Sequence, residues 1–119
     1  MILVDTSVWV LHLRKTQPGL VELLNEGKVV CHPFIVGELA CGNVRNRTII
    51  LSLLEALSKA VVVEHEEVLA FIENHDFMGK GLGYIDVHLL ASAVLIGLPL
   101  WTLDMKLKKA AAGLHCEYR

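Results

Sequence analysis

The sequence predicts one α/β domain in which helices cover both faces of a central parallel sheet. Short apolar runs alternate with longer segments of helical spacing, and no Pro-, Gly- or Ser-rich linker interrupts this alternation. Strands that alternate with helices form βαβ units, whose strands run parallel and are buried on both faces. The chain has 119 residues, of which 54% are hydrophobic, so it can build one packed core. We therefore expect a single three-layer α/β/α domain over residues 1–119.

The first four predicted elements are two strands separated by two helices. Residues 2–4 and 29–31 are short continuous apolar runs, which are typical of interior strands in a parallel sheet. Residues 7–14 carry apolar side chains at helical spacing. A second helix is predicted over residues 17–26, because a proline stands near its start and a glycine follows its end.

The middle of the chain supplies three predicted helices, one strand and a loop. A proline favours a helix start at residue 33, and this helix runs to about residue 42. Residues 48–58 are strongly amphipathic and predict another helix. The three β-branched residues 61–63 predict the third strand. Residues 66–77 predict a helix, and the glycine-rich residues 79–83 predict a flexible loop.

The last third of the chain begins with a long apolar helix over residues 85–96, which Gly97 ends. Residues 100–103 are an apolar run and predict the fourth strand. Residues 104–112 predict a short helix, and residues 114–118 are a candidate edge strand.

Composition restricts the partners and the location of the protein. The formal net charge is −2, so the chain is not a strongly basic nucleic-acid binder, and such contact would need a local basic patch or metal ions. The three cysteines form no CxxC pair and are odd in number, which suits a reducing cytosol and predicts a cytoplasmic protein. No apolar run reaches the roughly 18 residues of a membrane span, and no signal peptide is recognisable, so no membrane partner is expected.

Four acidic residues are expected near the carboxyl edge of the sheet, where α/β proteins bind ligands. Asp5 follows the first predicted strand, and Asp104 follows the fourth. Glu38 lies in the helix after the second strand among apolar neighbours, which predict an inward-facing position, and Asp86 opens the long apolar helix. Clustered ionised carboxylates repel one another, so divalent cations are the natural compensation. Oxygen ligands suit Mg²⁺ or Mn²⁺, and a metal-bridged acid cluster predicts phosphodiester hydrolysis.

Helix capping is the competing interpretation for three of these acids. Asp5, Asp86 and Asp104 each stand at a predicted helix start, where an aspartate caps the backbone or interacts favourably with the helix dipole. The fourth acid lies in mid-helix, where capping does not apply. We expect Thr6 or Ser7 to cap the first helix, which leaves Asp5 free to bind a metal ion.

Four groups of motifs stand in order along the chain. They are VDTSVW at residues 4–9, ELACG at residues 38–42, GLGYID with HLLASA at residues 81–93, and WTLD at residues 101–104. Together they resemble the PIN-domain ribonuclease family, and within it the VapC toxins of bacterial and archaeal toxin–antitoxin pairs. The resemblance extends from residue 1 to about residue 118. It implies a PIN-like three-layer α/β/α domain with a central parallel sheet.

The resemblance also implies an activity, a cofactor and partners. It implies a Mg²⁺- or Mn²⁺-dependent endoribonuclease that cleaves structured RNA such as tRNA or rRNA, together with a cognate VapB-like antitoxin. With the high apolar content, it further predicts a homodimer. The residues that match the family's catalytic acids are Asp5, Glu38, Asp86 and Asp104. Those expected to bind metal are Asp5, Asp86 and Asp104, and the hydroxyl residues expected to support the acids are Thr6, Ser7 and Thr102.

Basic residues and one tyrosine near the acids are candidates for RNA binding. The predicted contacts are Arg14, Lys15, Lys80 and Tyr84. Further lysines that could hold phosphates beside the cut follow the last acid, at Lys106, Lys108 and Lys109. An ordinary solvated surface is the alternative, and it applies at least equally to Lys108 and Lys109.

Two other functions remain open from the sequence. A catalytically silent PIN-like binding module would keep the fold without cleaving RNA, although four intact acids favour an enzyme. A haloacid-dehalogenase-like phosphotransfer enzyme also begins with an aspartate after the first strand. Such an enzyme needs a second aspartate two residues later, where this chain has Ser7.

Overall fold

The computed structural model describes residues 1–119 and contains four strands and seven helices. The strands are β1 (Ile2–Val4), β2 (Val29–Cys31), β3 (Ser58–Lys59) and β4 (Leu100–Trp101). The helices are α1 (Thr6–Arg14), α2 (Pro18–Asn25), α3 (Pro33–Ala40), α4 (Arg47–Ala56), α5 (His65–Asn74), α6 (Tyr84–Ile96) and α7 (Met105–Gly113). Two helices therefore lie between each strand and the next, in the order that the sequence predicts, and most element ends differ from the predicted ones by only a few residues.

The four strands form one parallel sheet in the order β3-β2-β1-β4. Leu3 of β1 pairs with Val30 on one side and with Leu100 on the other, so β1 lies inside the sheet. Leu3 and Val4 are fully buried, as expected for a strand covered on both faces. The helices form two groups, in which α3 contacts α1 and α4, and α6 contacts α5 and α7. This arrangement confirms the predicted three-layer α/β/α fold.

Helix α6 carries a large part of the core. Its residues 87–93 are all buried, so apolar contacts surround this helix and are not confined to one stripe. Gly97 ends the helix in the left-handed conformation, with φ of 67°, which glycine adopts without steric strain. None of the seven helices combines the length and the apolar composition that crossing a membrane requires.

The third strand differs from the sequence-based expectation. The β-branched residues 61–63 predict this strand, but β3 ends before them. Its partner β2 ends at Cys31, and the last ladder contact is the Ala60 amide, which donates to the Cys31 carbonyl at 2.8 Å. The Val61 carbonyl accepts a hydrogen bond from Ser92 Oγ at 2.7 Å instead. The prediction for residues 61–63 is wrong, because strand pairing depends on how far the neighbouring strand extends.

The candidate edge strand at residues 114–118 reduces to a single bridge. Helix α7 continues to Gly113, and His115, with φ of 59°, turns the chain directly afterwards. Glu117 then pairs with Leu100 in parallel orientation. The chain returns to the sheet too late to form a regular strand beside β4.

Candidate active site

Three neighbouring strands lead into helices at one edge of the sheet. Asp5 is the N-cap of α1 after β1, His32 is the N-cap of α3 after β2, and Asp104 is the N-cap of α7 after β4. Asp86 lies in the first turn of α6. The N-termini of helices carry partial positive charge, which favours carboxylates beside them. We call the group of Asp5, Glu38, Asp86 and Asp104 the acid edge.

Asp5 is fixed by hydroxyl groups at the end of β1. The residue is only 5% exposed. Its Oδ2 atom accepts hydrogen bonds from Ser7 Oγ and Thr102 Oγ1, each at 2.7 Å, and a longer one from the Ser7 amide at 3.4 Å. Asp5 itself therefore caps α1, and the expectation that Thr6 or Ser7 caps this helix is wrong. Because these hydrogen bonds all use Oδ2, the Oδ1 atom remains open to a ligand.

Ser7 and Thr102 join the end of β4 to the start of α1. Thr102 is buried, and its Oγ1 donates to Asp5 while accepting from the Asp104 amide at 3.1 Å. Ser7 Oγ donates to Asp5 and accepts from the Leu103 amide at 3.0 Å. A hydroxyl has one proton to donate, so both residues commit that proton to the Asp5 carboxylate. The structure thus places two of the three predicted hydroxyl residues against Asp5.

Asp104 also uses one oxygen for a helix cap. Its Oδ1 atom accepts hydrogen bonds from the Lys106 amide at 2.9 Å and the Leu107 amide at 3.1 Å. The residue is exposed, and Oδ2 makes no hydrogen bond within the chain. The sequence predicts that Asp104 follows the fourth strand directly, but β4 ends at Trp101 and a short connection intervenes. Asp104 therefore stands beyond the sheet edge, with one oxygen open to solvent or a ligand.

Asp86 lies in the electrostatic field of the other two aspartates. Its Oδ2 atom accepts a hydrogen bond from the Gly83 amide at 2.9 Å. Burial is the largest influence that raises the pKa of Asp86, and the charges of Asp5 and Asp104 raise it further, whereas the Gly83 hydrogen bond lowers it. Asp5 and Asp104 therefore both repel the Asp86 carboxylate, and a bound cation would relieve that repulsion.

Glu38 lies on an exposed side of α3. The buried residues of this helix are Ile35, Val36 and Leu39. Glu38 lies beside this stripe, and its Oε1 atom accepts a hydrogen bond from Thr6 Oγ1 at 2.7 Å. The predicted inward-facing position is wrong, because the apolar neighbours in sequence point toward the core from an adjacent side of the helix. The contact with Thr6 nevertheless holds this carboxylate beside the start of α1, where Asp5 is the cap.

The ligand chemistry of the acid edge suits a hard divalent cation. As the side chains stand, no three His, Cys, Asp or Glu residues converge closely enough to surround a metal ion. Each of the three aspartates nevertheless has one fixed and one open oxygen, and the two ion pairs of the chain lie elsewhere. Mg²⁺ typically binds through one or two carboxylates and keeps several water ligands. The open oxygens are of the chemical kind that such an ion binds, but they would have to move closer together to surround it.

The predicted RNA contacts separate into two groups. Arg14 and Lys15 lie at the C-terminal end of α1, roughly 13 Å along the helix axis from Asp5. They are therefore not beside the acids, although the sequence suggests that they are close. Tyr84 is 45% exposed and opens α6, where its hydroxyl forms a hydrogen bond with a neighbouring histidine. Lys80 is exposed in the loop that leads into α6.

Two buried histidines lie near this edge, and little in the sequence indicates that they belong to the site. His32 Nδ1 accepts a hydrogen bond from the Phe34 amide at 3.0 Å, while His32 Nε2 and His88 Nδ1 have no partner in the protein. The two imidazole rings are 6.4 Å apart, and Phe34 packs edge-on against His88 at 4.7 Å. Burial lowers the pKa of both rings, and His88 further lowers that of His32, to about 4. The available signals are the position of His32 at a strand end and of His88 two residues after an acid.

Comparison with known proteins gives concordant matches along nearly the whole chain. The family profile described as the PIN domain matches residues 2–113. Ribonuclease VapC32 of Mycobacterium tuberculosis, in the strains CDC 1551 / Oshkosh and ATCC 25618 / H37Rv, is 47% identical over 113 residues, which cover 94% of this chain and 91% of the relative. A chain of a solved structure, FitAB bound to an IR36 DNA fragment, has a TM-score of 0.61 at 20% identity, with 94% of this chain and 91% of that chain covered. This last likeness concerns the fold alone.

Proposed function

The chain belongs to the PIN-domain family and, within it, to the VapC ribonucleases, and on this basis we propose that it is a Mg²⁺- or Mn²⁺-dependent endoribonuclease toxin. The proposed reaction is hydrolysis of phosphodiester bonds in structured RNA such as tRNA or rRNA. The observation that carries the proposal is the acid edge. Three aspartates share one electrostatic field there, and each keeps one oxygen free of hydrogen bonds.

In this proposal Asp5, Asp86 and Asp104 hold the cation, with Asp5 and Asp86 as the principal ligands. When bound, the ion would lower the pKa of a water molecule and shield the negative charge that develops on the phosphate. Ser7 and Thr102 fix the Asp5 carboxylate through its Oδ2 atom, so its Oδ1 atom stays available. Such supporting hydrogen bonds keep a ligand oriented before the cation arrives.

Glu38 is proposed to orient the attacking water and to receive its proton. Its carboxylate is exposed, and only one of its oxygens accepts a hydrogen bond, from Thr6. An exposed carboxylate can accept a proton from a water molecule within hydrogen-bond reach, as general bases do. Lys80 and Tyr84 are the proposed RNA contacts nearest to the acid edge. Arg14 and Lys15 would contact the RNA strand at a greater distance from the acids.

A VapB-like antitoxin is proposed as the partner that blocks the acid edge, and the active protein is proposed to be a homodimer. Helix α4 exposes Ile49 and Leu53, each 62% accessible, on neighbouring turns. On another part of the molecule, α6 exposes Val94 and Leu95. Exposed apolar groups of this kind suit protein partners. Sedimentation of the chain alone and with the antitoxin measures both assemblies. A chain that sediments as a monomer and does not bind the antitoxin would contradict the proposed homodimer and the proposed partner.

The central test replaces two of the proposed ligands. Asp5→Asn and Asp86→Asn keep a hydrogen-bond acceptor at each cap but remove one negative charge. We expect each variant to cleave RNA at least about 100-fold more slowly, because loss of even one preorganised electrostatic group commonly has an effect of that size. Glu22→Gln is the matched control, since it removes an exposed carboxylate on α2. The measurements are cleavage rates with Mg²⁺ or Mn²⁺ and mapping of RNA 5′ ends after induction in cells.

A second readout separates metal binding from cleavage. Mn²⁺ should raise the thermal midpoint of the wild-type protein, and should raise that of Asp86→Asn much less. Without metal, the variant should be at least as stable as the wild type, because burial and then the charges of Asp5 and Asp104 disfavour the ionised form of Asp86. Undiminished cleavage by both Asp variants would show that the acids are wrongly assigned. A wild-type protein that neither binds Mn²⁺ nor cuts RNA would be a catalytically silent PIN-like binding module.

A further inference from the structure

A cavity of about 410 Å³ lies between α7 and the segment that connects α5 to α6. Its polar lining consists of Lys80, Lys106, Lys109 and His75, and Phe77 and Leu114 are among its apolar residues. We call this cavity the lysine pocket. Its volume falls within the range of about 300–1,000 Å³ that is usual for small-ligand sites. The cavity is therefore large enough for one nucleotide.

The lysine pocket concentrates positive charge without a compensating acid. No carboxylate lines it, and the ion pairs of the chain involve only Lys28 and Lys59. The chain as a whole has a formal net charge of −2, so this cluster is not part of a generally basic surface. Three ammonium groups around one cavity repel one another, and a bound anion would offset that repulsion.

The position of Lys106 depends on a glycine in the loop before α6. A Cβ atom added to Gly81 would lie 2.8 Å from both Cδ and Nζ of Lys106, so this side chain rests directly on the glycine. Gly81 also has φ of +76°, which disfavours other residues. The Lys106 amide is bound by Asp104, and the same loop leads to Asp86. Both walls of the lysine pocket therefore continue into the acid edge.

An aromatic pair stands at the start of the segment that connects α5 to α6 and lines the lysine pocket there. The rings of His75 and Phe77 stack with centroids 5.6 Å apart and an interplanar angle of 25°. His75 is exposed, whereas Phe77 is half-buried, so Phe77 supports the inner side of the imidazole. Any nucleobase can stack on such a ring, because every base has a flat aromatic face. The cavity thus offers cations for a phosphate and a ring for a base.

We propose that the lysine pocket binds one nucleotide of the RNA strand beside the scissile phosphate. Lys80 and Lys109 hold its phosphate, Lys106 joins them from the acid edge, and the base stacks on His75. The inference rests on the proposed ribonuclease function. It adds a defined nucleotide site that positions the RNA strand. Lys109 thereby becomes a substrate contact and is not merely a solvent-exposed surface lysine.

The test compares two lysines on the same helix. Lys109→Gln removes a cation that lines the lysine pocket, and Lys108→Gln removes an exposed one that does not. Adenosine 5′-monophosphate and inorganic phosphate are titrated into each protein in EDTA, and the backbone amide NMR signals are followed. We expect the nucleotide to shift the signals of Phe77 and Leu114 and to bind at least about tenfold more tightly than phosphate, because stacking adds to the charge contact. Lys109→Gln should weaken nucleotide binding about tenfold, and Lys108→Gln less than twofold.

RNA binding and cleavage supply an independent comparison. Lys109→Gln should raise KM for RNA with little change in kcat, and should lower the salt slope of RNA binding by about 0.7, the value for one lost phosphate contact on a single strand. Equal effects of Lys108→Gln and Lys109→Gln, or nucleotide shifts that avoid the pocket, would overturn the inference. Because the NMR titration requires no metal and no cleavage, a protein that never cuts RNA can still bind the nucleotide. Conversely, if Lys109→Gln cleaves RNA with an unchanged KM, the nucleotide site is disproved and the proposed ribonuclease function stands.

Discussion

At the scale of single residues, each aspartate of the acid edge uses one carboxylate oxygen in the fold and keeps the other free of hydrogen bonds. Asp5 Oδ2 binds hydroxyl groups, Asp86 Oδ2 binds a loop amide, and Asp104 Oδ1 binds the first amides of α7. The sequence presents capping and metal binding as competing interpretations. The geometry makes them compatible, because a carboxylate can cap with one oxygen and leave the other open. A cap of this kind also fixes the carboxylate before a ligand arrives.

Thr102→Val is expected to weaken the site without removing an acid. The substitution keeps the shape of the side chain, but it takes one donor from Asp5 Oδ2 and the acceptor from the Asp104 amide. We expect RNA cleavage to fall about 10–100-fold, as is typical when a supporting partner of a metal ligand is lost. Thr102→Ser keeps the hydroxyl and should restore most of the activity. If the Val and Ser variants were equally active, the hydroxyl would have no role in positioning Asp5.

The buried His32 is expected to make the folded state sensitive to acid. Burial lowers the pKa of His32 from 6.5 to about 4, with His88 adding to the effect, so the unfolded chain takes up the proton first. The stability contribution is fully present above pH 6.5 and is lost as the pH falls toward 4. We expect a loss on the order of 1–2 kcal/mol in the free energy of unfolding across this range.

Urea unfolding at several pH values measures this dependence. His32→Asn keeps an acceptor for the Phe34 amide but cannot titrate, so its free energy of unfolding should vary less between pH 6.5 and pH 4. His115→Asn is the matched control, because His115 is exposed and its φ of 59° suits asparagine. An unchanged pH dependence in His32→Asn would assign the acid sensitivity to other groups.

At the scale of elements, burial decides which strands the sequence pattern reveals. β1 and β2 match the predicted bounds, because a buried parallel strand needs a continuous apolar run. β3 consists of the exposed polar residues Ser58 and Lys59, so its composition gives no strand signal. Lys59 extends its ammonium group to the carbonyls that end α4, including that of Leu54 at 3.2 Å. The position of β3 is therefore set by its pairing with β2 and by the end of α4.

Two valines that follow β3 should differ sharply in their contribution to stability. Val63 is 7% exposed and packs with Val68, Val87 and Ala91, whereas Val61 is 56% exposed. A strand at residues 61–63 would place both valines on the same face. We expect Val63→Ala to lower the free energy of unfolding by about 2 kcal/mol, from lost burial and a small cavity. Val61→Ala should change the free energy of unfolding by less than about 0.5 kcal/mol. Equal losses of this free energy for both variants in urea unfolding would instead indicate a strand at residues 61–63.

At the scale of the whole molecule, parallel topology gathers opposite charges into neighbouring regions. The carboxyl ends of parallel strands share one edge, so acids that are distant in sequence meet there. The lysine pocket adjoins this edge, while the net charge of the chain is only −2. A nearly neutral protein attracts RNA weakly over long distances, so the proposed recognition of RNA relies on local cations and on the proposed metal ion. The proposed ribonuclease function and the proposed nucleotide site depend on this division of charge.

The sequence by itself determined the α/β class, the interior strands, most helices and the acids expected near one sheet edge. These features follow from local apolar periodicity, from helix start and stop residues, and from the shared direction of parallel strands. Only the tertiary structure decided that β3 precedes residues 61–63, that Glu38 is exposed, and that Lys106 rests on Gly81. Each of these depends on neighbours from distant parts of the chain, because pairing, burial and close contact are properties of packed elements and not of a local pattern.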